Sequence, residues 1–426
     1  MNEKGNLEGS TKDCLKYSNK NSGITLIVLV VSIVVLIILA TVSINAVLGQ
    51  NGIIKKAQQA KEMYEQSVTN EDTAMQELLN ELAVDREDKE DDTSDPTKDW
   101  DLNKVDKVTS EDNIIVPVPK GYTASTVTGE KSVSSGFVIK EGNDGSKTEG
   151  INEFVWVPVS NISDIYDEAN NAGQLWDFSG TTSTKRTYPT TQNSGYREPD
   201  VVTNASEGSD STSGSEYDAV STNLQQAGMS STATASTFKT QLQNEFNEMI
   251  NSVKTYGGFY IGRYETGNLS QTKAVVQKNN TDIKSQTWYT QYKLCKTIKA
   301  NDNVATSMLW GCQWDAALRW MQTSTNSEVT NFPTNSEVKG NYSGTQGDTN
   351  APIPTGSNSA YAVNNIYDMA GNVWDWTIEA YGTLCRVTRG GDYHNPASYI
   401  PASYRAYGVP SDSRILSGCR STLYIK

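Results

Sequence analysis

"NNIYDMAGNVWDWT", residues 364–377, and "RVTRGGDY", residues 386–393, are the stretches from which the rest of the chain is read. Trp374 and Trp376 stand two apart, so on an extended strand they share a face and together bury a large area. Gly371-Asn372 marks a turn just ahead of them. Asp368 and Asp375 flank that turn. With the turn carbonyls, their carboxylates make a donor set for a hard cation such as calcium. The same aspartates can equally cap the turn by accepting from backbone NH groups, so both roles stay open. Gly390 and Gly391 permit a tight backbone, and Arg389 is a candidate for internal pairing.

Outward from this motif the pattern is one of short strands. "NIIVPVP", "GFVIK", "NEFVWVPV", "GGFYIGRYE" and "CRVTRGG" are rich in Val, Ile and aromatics and bounded by Gly or Pro. Two stretches have helical spacing instead. "TFKTQLQNEFNEMINSV" puts Phe238, Leu242, Phe246, Met249, Ile250 and Val253 on one face, and "CQWDAALRWM" does so with Trp314, Ala317, Leu318 and Met321. The mixture predicts an α+β domain over 114–426. Within it, 181–234 is rich in Ser, Thr and Asn and reads as a surface insertion.

Together with "GGFYIGRYETG" (257–267), "ATSMLWGCQWDAALRWM" (305–321) and "NEFVWVPV" (152–159), the opening motif resembles the sulfatase-modifying-factor domain, also called the formylglycine-generating-enzyme-like domain. The resemblance runs from Ile114 to Lys426. It implies an elaborated C-type-lectin-like fold. It also implies a structural calcium site with the side chains of Asp368 and Asp375 and the carbonyls of Gly371 and Val373 as ligands. The family usually carries Glu where Asp375 stands, so the arm is shorter here.

The founding members of that family oxidise a substrate cysteine with two cysteines of their own, placed shortly after the RGG motif. Those places fall near Ile400 and Arg405, and neither is Cys. Thiol chemistry needs a positioned thiolate, so the chain reads as a binding protein and not an enzyme. Its cysteines, at 14, 295, 312, 385 and 419, contain no CxxC pair. The spacing leaves disulfides and isolated thiols both open. The formal net charge of −14 argues against a nucleic-acid partner.

At the other end, Asn21 to Ile54 carries no charged residue, and "ITLIVLVVSIVVLIILATVSINAVLG" is long enough to cross a hydrocarbon core of about 30 Å as a helix. Flanking lysines on both sides leave its orientation open. "NKNSGITLIVLVV" followed by "LATVSINAVLGQNGIIKKAQQAKE" resembles the type IV prepilin N-terminus. That likeness implies a leader, 1–23, cut between Gly23 and Ile24 by a prepilin peptidase. It places the C-terminal domain outside a single-pass cell-membrane anchor. Where pilins that assemble carry Glu at the fifth mature position, this chain has Val28. The predicted organisation is a transmembrane and stalk helix over 24–83, an acidic linker over 84–113, and then the lectin-like domain.

One loop remains. "DYHNPASYIPASYRAY", 392–407, holds four tyrosines and the only histidine of the chain. Lys, Glu, Gln, Trp and Met are missing from Ala380 to Ile425. Codons ending NNC or NNT cannot encode these five residues. The gap resembles the variable region of proteins diversified by retroelements. Tyr gives large contact area at low entropic cost, while Ser, Asn and Gly adapt their hydrogen bonds. The expectation is a surface display protein binding an unknown protein or glycan on a host, cell or phage surface through Tyr393, His394, Asn395, Tyr399, Tyr404 and Tyr407. A formylglycine-generating-type oxidase and a structural pilin-like subunit are the alternatives.

Overall fold

Short Val-, Ile- and aromatic-rich runs form strands because branched and ring side chains pack well on a pleated surface. In this chain they build two main sheets and, among the described residues, five two-stranded ones, seen in a computed structural model that describes residues 31–39, 61, 95–190, 195–203, 217–270, 273–281, 284–344 and 350–426. The chain divides into two units, Met1–Ser94 and Asp95–Lys426. In the first, residues 31–39 are helical. The expected leader, the Gly23–Ile24 junction and most of the 24–83 helix lie outside the described residues. Among the described residues no helix is long and apolar enough to cross a membrane.

The second unit is α+β. It opens with a hairpin of β1 (Val105–Thr109) and β2 (Ile115–Pro119), paired along their whole length. The larger sheet contains β3 (Tyr122–Ala124), β4 (Val138–Glu141), β5 (Glu153–Pro158), β7 (Gly258–Gly262), β8 (Val304–Met308) and β13 (Ser421–Ile425). Its order is β8-β13-β7-β5-β4-β3, so β13 lies between strands contributed far earlier in the chain. The smaller sheet runs β6 (Tyr196–Arg197), β9 (Trp374–Tyr381), β10 (Cys385–Arg389) and β11 (Arg405–Gly408), all antiparallel. β12 (Ser417–Cys419) pairs with β9 in parallel.

Among the described residues five α-helices complete the unit: α1 (Ser221–Gln226), α2 (Ala235–Tyr256), α3 (Trp288–Cys295), α4 (Gly311–Gln322) and the single turn α5 (Ser327–Thr330). Thr234 and Thr237 form a reciprocal cap at the start of α2, and Gly257 ends it in the left-handed conformation. The face predicted for α2, from Phe238 to Val253, is buried. The face predicted for α4 is buried too, and Phe246 meets Trp310 at 5.2 Å edge-on. Trp376, Trp314 and Trp288 lie in the same core.

Two boundaries differ from the sequence reading. Residues 95–113, expected as the end of the acidic linker, are part of the compact unit. Trp100 is buried and its indole NH donates to the carbonyl of Thr255 at 3.0 Å, while Val105 packs in the core. These two anchors hold a segment whose acidic side chains face water. The 181–234 stretch is not all surface either. Arg197, Glu198, Asp200, Val202, Tyr217 and Asp218 are buried. Burial there is sustained by the ion pair of Asp218 with the distant Arg386, by Asp200 with Arg197 and Lys239, and by Glu198 accepting the NH groups of Gly311 and Cys312, partners that local composition does not register.

Candidate functional site

The smaller sheet rests on charge sealed away from water. Arg389, at the end of β10, is fully buried and donates to Asp315 of α4 at 2.6 Å. Arg405, at the start of β11, stands opposite Arg389 in the register. It donates to the other oxygen of Asp315, to Glu379 at 3.0 Å and to the carbonyl of Trp176 at 3.0 Å. Glu379 is itself wholly buried, and its pKa is raised by that burial even though Arg405 and Arg389 pull it down. Next to this group, Arg386 pairs with Asp218 at 2.7 Å and lies over the ring of Trp288. Isolated, any of these charges would be costly in the interior; paired and hydrogen-bonded, they pin the strands to the helices.

The chain then turns sharply. Gly390 and Gly391 have φ of 90° and 85°, a region that excludes most side chains. A Cβ at Gly391 would lie 2.5 Å from the carbonyl oxygen of Ile400. Beyond them, Asp392 is buried and organises the next turn. One of its oxygens accepts from the backbone NH groups of His394 and Asn395, each at 2.9 Å, and from the Asn395 side chain. The other accepts the Trp374 indole NH at 2.6 Å. Trp374 in turn meets the ring of Tyr404 at 6.1 Å.

Tyr393, His394, Asn395 and Tyr404 are thereby tied into one group around Asp392 and Trp374. His394, Asn395 and Tyr404 are exposed and Tyr393 is half-buried. Tyr407 belongs to another group. It is 49% exposed and stacks on Tyr381 at 4.3 Å and 21°; Tyr381 meets Tyr196 at 4.8 Å, and Arg186 lies over Tyr196. Tyr399 is 72% exposed on a separate part of the loop, with its backbone NH bonded to Pro396. Six residues chosen as one set thus fall into two clusters and an outlier. Tyr381, Tyr196 and Arg186 were missed. Tyr196 and Arg186 come from the Ser/Thr-rich stretch, and a run of aromatic and basic residues between 185 and 197 was the one available signal.

Of the predicted calcium ligands, Asp368, Gly371 and Val373 lie on the loop that leads into β9, and Asp375 is the second residue of β9 itself. Asp368 and Asp375 are both buried. Asp368 accepts from the Thr355 hydroxyl at 2.9 Å and the Gly356 NH at 2.8 Å. Asp375 accepts from the guanidinium of Arg420 at 3.2 Å. The Gly371 NH donates to the Gly390 carbonyl, and Val373 is buried. Among the described residues no three His, Cys, Asp or Glu side chains are grouped to hold a metal ion. Both carboxylates have internal donors, and the positive charge at Asp375 is an arginine.

The places where the resembling oxidases carry thiols hold other chemistry. Ile400 is buried and its carbonyl accepts from Tyr342, while Arg405 is committed to the ion pairs above. Burial pushes up the thiols of Cys312 and Cys419. Cys385 is raised to about 11 by burial, with Arg414 opposing.

Comparison with known proteins is consistent with part of this picture. Residues 308–423 match the family described as Sulfatase-modifying factor enzyme 1-like domain. Similar solved structures include that of PvdO from Pseudomonas aeruginosa, 17% identical over 40% of this chain and 82% of that one, with a TM-score of 0.28. Another is CarF, 14% identical over 40% of this chain and 87% of that one, TM-score 0.30. A third is Treponema denticola variable protein 1, 14% identical over 66% of this chain and 98% of that one, TM-score 0.27. No curated protein matches the sequence.

Proposed function

We propose that this chain is a membrane-anchored surface display protein whose C-terminal domain, lectin-like by sequence resemblance, binds a protein or glycan on a host, cell or phage surface. The observation that carries the reading is the contrast within 389–407. Arg389, Asp392 and Arg405 are spent on internal bonds, while His394, Asn395, Tyr399, Tyr404 and Tyr407 present their side chains to water. A backbone fixed from below tolerates change above, which suits a face open to genetic diversification. Rigid tyrosines with small polar neighbours are the composition of adaptable protein-binding surfaces.

Neither alternative gains support from a particular residue. An oxidase of the resembling type lacks thiols at Ile400 and Arg405, and Val28 stands where assembling pilins carry glutamate. Anchoring rests on the charge-free run from Asn21 to Ile54. N-terminal sequencing beginning at Ile24, with loss of the domain on protease treatment of intact cells, is the result expected for a processed, outward-facing anchor. For binding, the test is the full chain against glycan arrays, cells and phage particles. Tyr404→Ala with Tyr407→Ala is expected to weaken the strongest interaction at least about tenfold, the scale of an interface hot spot. Unchanged binding with an unchanged melting curve would refute the assignment of the face.

A further inference from the structure

Two of the cysteines meet in the core. Cys295 is the last residue of α3 and Cys419 the last of β12. Both are fully buried, and their sulfur atoms are 3.4 Å apart across 124 residues of sequence. Cys312 and Cys385 are placed differently. Cys312 is the second residue of α4, its backbone NH bonded to Glu198, and Cys385 begins β10 in a half-buried position opposite Tyr381.

We propose that Cys295 and Cys419 are the two ends of a disulfide that staples α3 to the smaller sheet. A disulfide needs sulfurs about 2.05 Å apart and Cα atoms within about 7 Å. The two sulfurs stand 3.4 Å apart, so only about 1.4 Å separates them from bonding distance. The step is a thiol–disulfide exchange with a small disulfide such as oxidised glutathione. One thiolate attacks the glutathione disulfide and releases one glutathione thiol. The second thiolate then displaces the other glutathione, leaving the S–S bond and two glutathione thiols that carry the two protons and two electrons lost by the cysteines. In the finished fold burial, with Cys295 alongside, keeps the Cys419 thiol protonated. Exchange therefore takes place while the chain folds, before β12 is sealed beside β9.

The consequence is mechanical. β12 pairs with β9 at Trp374, Asp375 and Trp376, the strand that carries Tyr381 at its far end. α3 packs Trp288 and Tyr292 against α2. A covalent link between them makes the sheet beneath the exposed tyrosines part of the core. The proposal does not depend on what that face binds.

The test uses the full chain, refolded in a mixture of reduced and oxidised glutathione, with free thiols then blocked by N-ethylmaleimide. Trypsin digestion without reductant is expected to yield Leu294–Lys296 joined to Ile415–Arg420, separable by dithiothreitol. The melting temperature is expected to fall by about 5 °C or more when the protein is reduced, as a long closed loop predicts. The double variant Cys295→Ser, Cys419→Ser is expected to melt at the same temperature with and without reductant. Both peptides recovered with maleimide after oxidation, or either one joined to the peptide of Cys312 or Cys385, would overturn the proposal.

Discussion

Gly391 is held in a conformation that only glycine adopts freely, with the Ile400 carbonyl where a Cβ would stand. Gly391→Ala is therefore expected to cost about 1–3 kcal/mol, the scale of a strained backbone position, read as a lower urea midpoint. Arg405 is the more consequential residue. Arg405→Ala removes a partner from two buried carboxylates, Asp315 and Glu379, and leaves Arg389 alone to compensate them. A loss of about 3–5 kcal/mol is expected, measured by chemical denaturation. A loss under about 1 kcal/mol would show that the network is not what fixes the turn. At this scale the sequence was informative about chemistry and silent about partners. Arg389 reads as an internal arginine from its place beside two glycines. Nothing local says that Asp315, lying in a helix 74 residues away, is its acceptor.

Among the elements, α4 shows how a helix start is built from afar. Its first NH groups, at Gly311 and Cys312, are accepted by the carboxylate of Glu198. Burial, with Glu379 nearby, pushes that carboxyl up to about 8 from an ordinary 4.5. Between those values the folded protein keeps a proton that the unfolded chain has released. The contribution of Glu198 to stability is thus fully present below pH 4.5 and declines as pH rises toward 8. Glu198→Gln is expected to lose that decline. Urea midpoints across the window should fall less steeply for the variant than for the parent, and parallel curves would count against the shift. The amphipathic stripes of α2 and α4 were legible because apolar residues recur at three and four. α3 was not: "WYTQYKLC" is short and aromatic, and its local pattern favours strand as readily as helix. The strand-rich runs announced β5, β7 and β10. β6 did not stand out, being two residues long inside a polar stretch.

For the molecule as a whole, the charge arrangement bears on calcium. Arg420 is buried against Asp375, and Thr355 and Gly356 serve Asp368. Calcium at these carboxylates is checked by differential scanning fluorimetry: an ion held there is expected to make the melting temperature fall on chelation, and an unchanged curve would count against the site. A calcium-dependent rise would mean that the ion displaces the arginine from its carboxylate. The α+β class was readable from the strand and helix periods, and the extent of the unit was not. Acidic composition masked Trp100 and Val105, so the unit begins at Asp95 rather than at Ile114.

β13 has a consequence for biogenesis. It fills the gap between β7 and β8, pairing with both. A nascent chain halted before Ser421 leaves two bare strand edges facing an empty slot, each a template for another molecule. Long-range pairing of this kind is slow to form. The larger sheet therefore closes only once Ser421–Ile425 has arrived, and a truncation that removes those residues leaves it split in two.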